Sequence, residues 1–303
     1  MVRVKTILAV TDHSEQAAWA ERRAEMLGAQ LRATMLELLT VAPREASMGQ
    51  VLGAALRKGG PLRSADVVFG APGHAKARKE IGAPPCVRTA GFGDPATIVA
   101  RRSAELPADL TVVGMRDGLV LLGAHGPADG ADLLRKIDRP VLLVRTAPRE
   151  AYRRSLLAID FEPGAGAAAK LALALAPQAH HTLFHVTGDP ADDAGQDRDM
   201  VVVYLPHYRS SDVAARRMNA LATTLGAHGH SLSWVVRFGE PAAALVEFAH
   251  RLEVDLVAIG RNGVRTGGEH WPGAVAGRLM RELDCDVLIV PEPDDDWDGG
   301  AAA

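Results

Sequence analysis

Short apolar runs alternate with amphipathic stretches along most of the chain. The runs have the near-continuous apolar character of buried strands, and the stretches between them repeat their apolar residues with the period of a helix. This alternation predicts an α/β fold with a parallel, doubly wound sheet that has helices on both faces. The predicted strands are residues 4–11, 31–41, 86–90, 110–113, 141–144, 155–159, 182–186, 231–237, 256–259 and 287–290. The predicted helices are residues 14–27, a helix that opens at Asp94 or Pro95, and residues 129–136, 165–176, 213–226, 241–252 and 274–283.

The first helix carries signals at both of its ends. Ser14 is a favourable N-cap residue, and Gly28 is predicted to end the helix. Residues 44–83 carry the weakest pattern in the chain, and a helix interrupted by glycines is expected there.

The same pattern occurs twice. The stretch GDPATIV at Gly93 returns as GEPAAALV at Gly239, an offset of 146, and 14 of the 52 positions at residues 93–144 are identical to their counterparts at that offset. A match of this length without a gap indicates a duplicated domain rather than a short solenoid repeat. We therefore predict a first domain at residues 1–146, a second at residues 152–291 and an acidic, disordered tail at residues 292–303.

Composition narrows the class of protein. The 303 residues carry a formal net charge of −3, which provides no global attraction for nucleic acid or for an anionic membrane. Two cysteines, Cys86 and Cys285, do not make a disulfide framework. The first apolar run ends before Asp12 without a cleavage site, and no run reaches the length of a membrane span. We expect a cytoplasmic protein with neither nucleic acid nor membrane as a partner.

Two residue types recur where a doubly wound sheet binds its ligands, beyond the carboxyl ends of its strands. The first strand of each half ends in an aspartate, Asp12 or Asp160, and the fourth strand ends in a glycine, Gly114 or Gly260. These residues face each other across a crevice if the first and fourth strands are neighbours. An aspartate can accept hydrogen bonds from a ribose, and a glycine turn before a helix can hold phosphate with its N–H groups.

The spacing after the fourth strand of the second half is specific. Gly260 is followed after two residues by Gly263 and after nine more by Gly273, with Ala274 next. Together with Asp160, this arrangement resembles the universal stress protein family, whose ATP-binding members carry G-x2-G-x9-G and then serine or threonine. The resemblance implies two tandem Rossmann-like domains, each a five-stranded parallel sheet of order 3-2-1-4-5.

The resemblance also implies a ligand and the residues that would hold it. The ligand is an adenine nucleotide (ATP, ADP or AMP), with or without Mg²⁺, and the function is regulatory, in the stress response. No catalytic or metal-ligating residue is predicted. The residues that would bind the nucleotide are Ile159, Asp160, Val186, Gly260, Arg261, Gly263, Gly273, Ala274 and Val275.

Both halves depart from the family pattern. Ala274 removes a hydroxyl that would touch a terminal phosphate, which would weaken triphosphate binding by about 1 kcal/mol. The first half has Asp117 and Pro127 at the positions of Gly263 and Gly273. A carboxylate repels phosphate and a proline lacks the N–H group, so the first half is expected to be degenerate.

Several alternatives remain open from the sequence. The chain would also suit an interaction scaffold that binds no nucleotide, or a slow ATP hydrolase, although no catalytic base is visible. His181 and His185 lie four residues apart on one strand face, where a metal site competes with the simpler interpretation of strand-edge histidines. The last strand of each half is an edge that needs covering. In the family that the chain resembles, the last strands pair across a dimer interface, so the resemblance implies an intramolecular pseudo-dimer of the two halves and leaves a homodimer open.

Overall fold

The chain folds into two compact units. The computed structural model describes residues 2–42, 67–68, 84–120, 128–187, 213–226, 229–261, 265–266, 269–270 and 273–292. The first domain holds Arg3–Arg149 and Gly263–Trp271, and the second holds Met1–Val2, Glu150–Asn262 and Pro272–Ala303. The predictions for Gly263, for nearly all of residues 44–83 and for the tail after Glu292 fall outside the described residues.

Strands and helices alternate in both domains. The first half contains β1 (Thr6–Thr11), α1 (Glu15–Leu31), β2 (Met35–Ala42), β3 (Val67–Val68), β4 (Cys86–Phe92), α2 (Pro95–Glu105), β5 (Leu110–Arg116), β6 (Leu119–Val120), β7 (Ala128–Asp129), α3 (Gly130–Lys136) and β8 (Val141–Val144). The second half contains β9 (Arg154–Ala158), α4 (Pro163–Leu175), β10 (His180–Thr187), α5 (Val213–Gly226), β11 (Ser231–Phe238), α6 (Pro241–Leu252), β12 (Leu256–Arg261), β13 (Arg265–Thr266), β14 (Glu269–His270), α7 (Ala274–Glu282) and β15 (Asp286–Pro291).

Each domain is built on a parallel sheet whose first strand lies in the middle. In the second domain the neighbours run β11-β10-β9-β12-β15, which is the order 3-2-1-4-5 when strands are counted within the domain. In the first domain β4-β2-β1-β5-β8 gives the same order, and β3 is added beyond β4. The prediction of two tandem Rossmann-like domains with this order is confirmed. The helix expected at residues 44–83 is wrong at residues 67–68, where the chain forms the strand β3.

The strand order brings the predicted site residues together. β9 pairs with β12 in parallel, with Leu157 opposite Ala258. Asp160, just after β9, and Gly260, near the end of β12, therefore come to the same end of the sheet. The first domain repeats this pairing between β1 and β5, with Val10 opposite Val113.

The first helix begins where predicted and ends later. Ser14 caps α1 by accepting a hydrogen bond from the N–H of Ala17 at 3.2 Å. The helix continues past Gly28 and ends at Arg32, which adopts the left-handed conformation with φ of 53°, so the prediction that Gly28 ends the helix is wrong. Gly28 instead allows close packing, because a Cβ on it would lie 2.8 Å from Cγ of Pro84.

Both faces of each central strand are buried. Ile7 and Leu8 project to opposite faces of β1, and neither is exposed. Leu156 and Leu157 of β9 are buried in the same way. Within the described ranges, no helix combines the length and the apolar character needed to cross a membrane.

Candidate functional site

A cavity of about 290 Å³ opens in the second domain at the carboxyl ends of β9, β10 and β12. Its walls are completed by the first turns of α6 and the start of α7. Doubly wound sheets bind their ligands at this position. The lining residues are Ala158, Ile159, Asp160, Phe184, Val186, Pro241, Leu245, Ile259, Gly260, Arg261, Gly273, Ala274, Val275 and Ala276.

Every predicted site residue that the structure describes lines this cavity. Gly263 is the predicted residue that lies outside the described ranges. Most of the apolar wall, including Phe184 and Leu245, was not predicted from the sequence. A signal for Phe184 was present, because it lies two residues before Val186 and therefore on the same face of β10.

The apolar wall joins a strand to a helix. Phe184 of β10 packs against Phe248 of α6, with ring centroids 4.7 Å apart. Val186 and Ile259 extend this wall along neighbouring strands. Aromatic and aliphatic side chains around a concave site suit the planar, apolar part of a small ligand.

The acid at the rim of the cavity is held by a tight turn. The N–H of Glu162 donates to Oδ1 of Asp160 at 3.0 Å, and Phe161 between them has a positive φ of 66°. The first domain repeats the turn, with the N–H of Ser14 donating to Oδ1 of Asp12 at 2.9 Å. Asp12 is buried, whereas Asp160 is exposed. Of the two aspartates, Asp160 is the one that is accessible at the rim of a cavity.

The start of α7 lacks a side-chain cap. The N-cap residue is Gly273, and the first turn contains no acidic residue. In the first domain, by contrast, Asp129 caps α3 by accepting from the N–H of Ala131 at 2.9 Å, and Asp132 adds a carboxylate to the first turn. The first N–H groups of a helix need acceptors, which an anion can supply. Among the described residues, no side chain caps this helix start in the second domain, and its first residues line the cavity.

Gly260 has a packing role that the sequence did not reveal. A Cβ on Gly260 would lie 2.4 Å from backbone atoms of Gly164 and Ala165. A Cβ on Gly114 would lie 2.3 Å from backbone atoms of Gln16 in the same way. The glycine near the end of the fourth strand lets the helix after the first strand approach the sheet. It is therefore required in both domains, independently of any ligand.

The profile of the universal stress protein family matches the chain twice, over residues 3–145 and residues 151–291. The chain belongs to the universal stress protein family. A universal stress protein of Synechocystis sp. is 28% identical over 85 residues, which are 28% of this chain and 55% of the relative. One of Methanocaldococcus jannaschii is 41% identical over 56 residues, which are 18% of this chain and 32% of the relative. The chain thus spans about half of the first relative and a third of the second.

The fold is also similar to a solved structure over nearly its full length. The crystal structure of a universal stress protein from Archaeoglobus fulgidus matches with a TM-score of 0.61 and 13% identity. The match covers 96% of this chain and 99% of that chain. At this identity the likeness concerns the fold.

In the first domain of this universal stress protein, the residues that follow the fourth strand form a hairpin instead of a glycine-rich loop. After β5 the chain turns at Asp117 and Gly118, which have φ of 53° and 77°, and β6 pairs antiparallel with β5. Two consecutive positive φ values make the tight hairpin turn that an Asp-Gly pair favours. β6 then pairs with β7, which leads into α3, and Val120 of β6 is fully buried. Asp117 thus shapes a turn, while Pro127 lies outside the described residues.

Two of the three histidines of β10, His181 and His185, bond within the second domain of this universal stress protein. Nδ1 of His181 lies 2.6 Å from Oγ of Ser155, and Nδ1 of His185 lies 2.7 Å from the carbonyl oxygen of Ile159. Over the part of the chain that the structure describes, no three His, Cys, Asp or Glu side chains are grouped to hold a metal ion. The contacts of both rings connect β10 to β9.

Proposed function

We propose that this universal stress protein binds an adenine nucleotide, ATP, ADP or AMP, in its second domain and acts in the stress response through that binding. The observation that carries the proposal is the make-up of the cavity. It combines an apolar wall, an exposed carboxylate at Asp160 and a helix start at Gly273 that has no side-chain cap. An adenine nucleotide also has three parts, a base, a ribose and a phosphate, and each part suits one of these three features.

Each part of the nucleotide has a partner of suitable chemistry. The base would pack on the apolar wall formed by Phe184, Val186 and Ile259. A ribose hydroxyl would donate to the carboxylate of Asp160, whose turn fixes its position. The phosphate would accept from the N–H groups at the start of α7, where the helix dipole favours negative charge.

The shortage of acidic side chains at the site supports a role in binding rather than in turnover. Asp160 is the single carboxylate among the lining residues, and its Oδ1 already holds the turn. A Mg²⁺ ion that accompanies the nucleotide would therefore be held chiefly by phosphate oxygens and water. The described lining residues offer no second acid or histidine to act as a general base.

The proposal is tested on the purified full-length protein. Denaturation followed by mass spectrometry identifies any adenine nucleotide that is released. Thermal unfolding with ATP, ADP or AMP, each with and without Mg²⁺, measures binding independently. A ligand at one hundred times its Kd should stabilise the domain by about 2.7 kcal/mol, which raises its Tm by about 5 to 10 °C.

A variant that adds a negative charge locates the site. Val275→Asp places a carboxylate at the start of α7, as Asp129 does at the same offset in the first domain, and should abolish the shift. Asn219→Asp adds the same charge to the exposed surface of α5 and should leave the shift unchanged. If no nucleotide is released and none shifts the Tm, the nucleotide proposal is wrong and the interaction scaffold is favoured. Phosphate release in the presence of Mg²⁺ would instead favour the slow hydrolase.

A further inference from the structure

A buried arginine lines the same cavity. Arg261 is the last residue of β12 and is 3% exposed. It lies two residues after Ile259 and so projects to the same face of the sheet, toward the cavity that both residues line. A cation is therefore held out of water beside an open space.

The first domain has no charge at this position. At the same offset of 146 it carries Met115, which is 1% exposed in β5. A buried methionine shows that the fold needs only an apolar side chain of similar length here. The positive charge of Arg261 is thus a feature of the second domain, and it coincides with the cavity.

The two charged side chains of the cavity lie in different surroundings. Among the lining residues, Asp160 and Arg261 are the two that carry charge, and the acid is exposed while the cation is buried. A charge in a buried position interacts more strongly with an opposite charge than it would in water. An arginine side chain keeps its charge in proteins, and its planar donors match the oxygens of a phosphate.

We propose that Arg261 is the residue that makes this cavity prefer a phosphorylated nucleoside over the free nucleoside. The inference rests on the proposed function and adds to it, because it names the side chain that recognises the phosphate charge. The helix start at Gly273 supplies N–H groups from the backbone, and Arg261 supplies the full positive charge. A charge-assisted hydrogen bond of this kind corresponds to a preference of about tenfold to a hundredfold.

The experiment compares the Kd of adenosine with that of AMP by titration calorimetry on the full-length chain. The wild type should bind AMP at least about tenfold more tightly than adenosine. Arg261→Met, which copies the first domain, should bind adenosine as the wild type does and lose the preference for AMP. Arg216→Met removes the same charge from the exposed surface of α5 and should keep the preference.

Two further measurements separate recognition from a structural role. Arg261→Lys retains the charge but not the planar donors, and should show an intermediate preference even if the methionine variant fails to fold. The wild-type preference should shrink as salt is raised, because it is electrostatic. An unchanged ratio of the two Kd values in both variants, or an equal loss of adenosine and AMP binding, would overturn the assignment of Arg261. If the wild type binds neither compound, the proposed function itself fails, which is a different result.

Discussion

Lowering the pH from 7 to 5 should destabilise the second domain because of one buried imidazole. His181 is fully buried, and its Nδ1 lies 2.6 Å from Oγ of Ser155. The pKa of His181 is lowered to about 4, first because burial disfavours the charged ring and then because His230 and His180 add like charge nearby. In the unfolded chain the same ring has a pKa of about 6.5.

The size of the effect follows from the two pKa values. Between them the unfolded state binds more protons than the folded state, so stability falls as the pH drops below 6.5 and levels off below 4. At pH 5 the penalty on the folded state is about 2 kcal/mol, whereas at pH 7 it is about 0.2 kcal/mol. Well above pH 7 the ring is neutral in both states and contributes no pH dependence.

The duplicated chain supplies a matched control. Ile7 and Leu36 pair in the first domain at the same register position as Ser155 and His181 in the second. The double variant Ser155→Ile with His181→Leu therefore replaces the polar pair by an apolar pair that this fold already accommodates. Amide hydrogen exchange in β9 and β10, corrected for the intrinsic rate at each pH, gives the free energy of opening for both proteins.

Between pH 7 and pH 5, the opening free energy of the wild type should fall by about 2 kcal/mol more than that of the double variant, or roughly thirtyfold in protection. The comparison uses only the change in opening free energy between the two pH values. A pH-independent effect of the double substitution on stability therefore does not alter the result. A pH dependence that is the same in both proteins would refute the reasoning. An NMR titration that places the pKa of His181 above 6 would do so as well.

Three substitutions, one of them with a matched control, test the packing, the helix capping and a buried hydrogen bond of the second domain. In thermal unfolding, Gly260→Ala should lower the stability by about 1–3 kcal/mol, because its Cβ would lie 2.4 Å from the backbone of α4. The control Gly166→Ala should be neutral or stabilising, because its Cβ would meet nothing within 4 Å. Glu240→Ala should cost about 1 kcal/mol in urea unfolding at pH 7, because Glu240 accepts from the first N–H groups of α6. Those bonds hold the pKa of Glu240 below its usual value, so the cost should vanish as acid protonates it, and a pH-independent cost would contradict this. Tyr152→Phe removes the hydroxyl that donates to buried Asp286 at 2.7 Å and should cost about 1–3 kcal/mol in chemical denaturation, and no measurable loss would argue against this bond.

The sequence predicted the order of strands and helices because burial on both faces leaves a periodic signal. The prediction was wrong where tertiary packing overrides the conformational preference of a single residue. Gly28 is the better helix stop by conformational propensity, yet the structure uses it for contact with Pro84 and ends the helix at Arg32. The hairpin at Asp117 and Gly118 carried a usable turn signal, but strands of two residues leave no hydrophobic period.

The candidate site was predictable to the extent that backbone roles define it. Asp160 and the glycines stand at strand ends and helix starts, where residue type and spacing are restricted. The burial of Arg261 could not be predicted, since arginine is mostly exposed and its depth depends on what surrounds the strand end. The contact between Phe184 and Phe248 joins distant parts of the chain and leaves no local signal.

The two domains share a topology and differ in the side chains at the ends of their strands. In the first domain, a phosphate at the start of α3 would have to displace the carboxylate of Asp129 and would then meet the like charge of Asp132. It would find Met115 where the second domain carries Arg261. Each of these three differences disfavours an anion, so a variant that reverses one of them still carries the other two. Because the glycine at the end of the fourth strand is required for packing in both copies, its presence in the first domain carries no information about binding. The retained glycine follows from a demand of the fold, whereas the altered charges follow from a separate demand, that of the ligand proposed for the second domain.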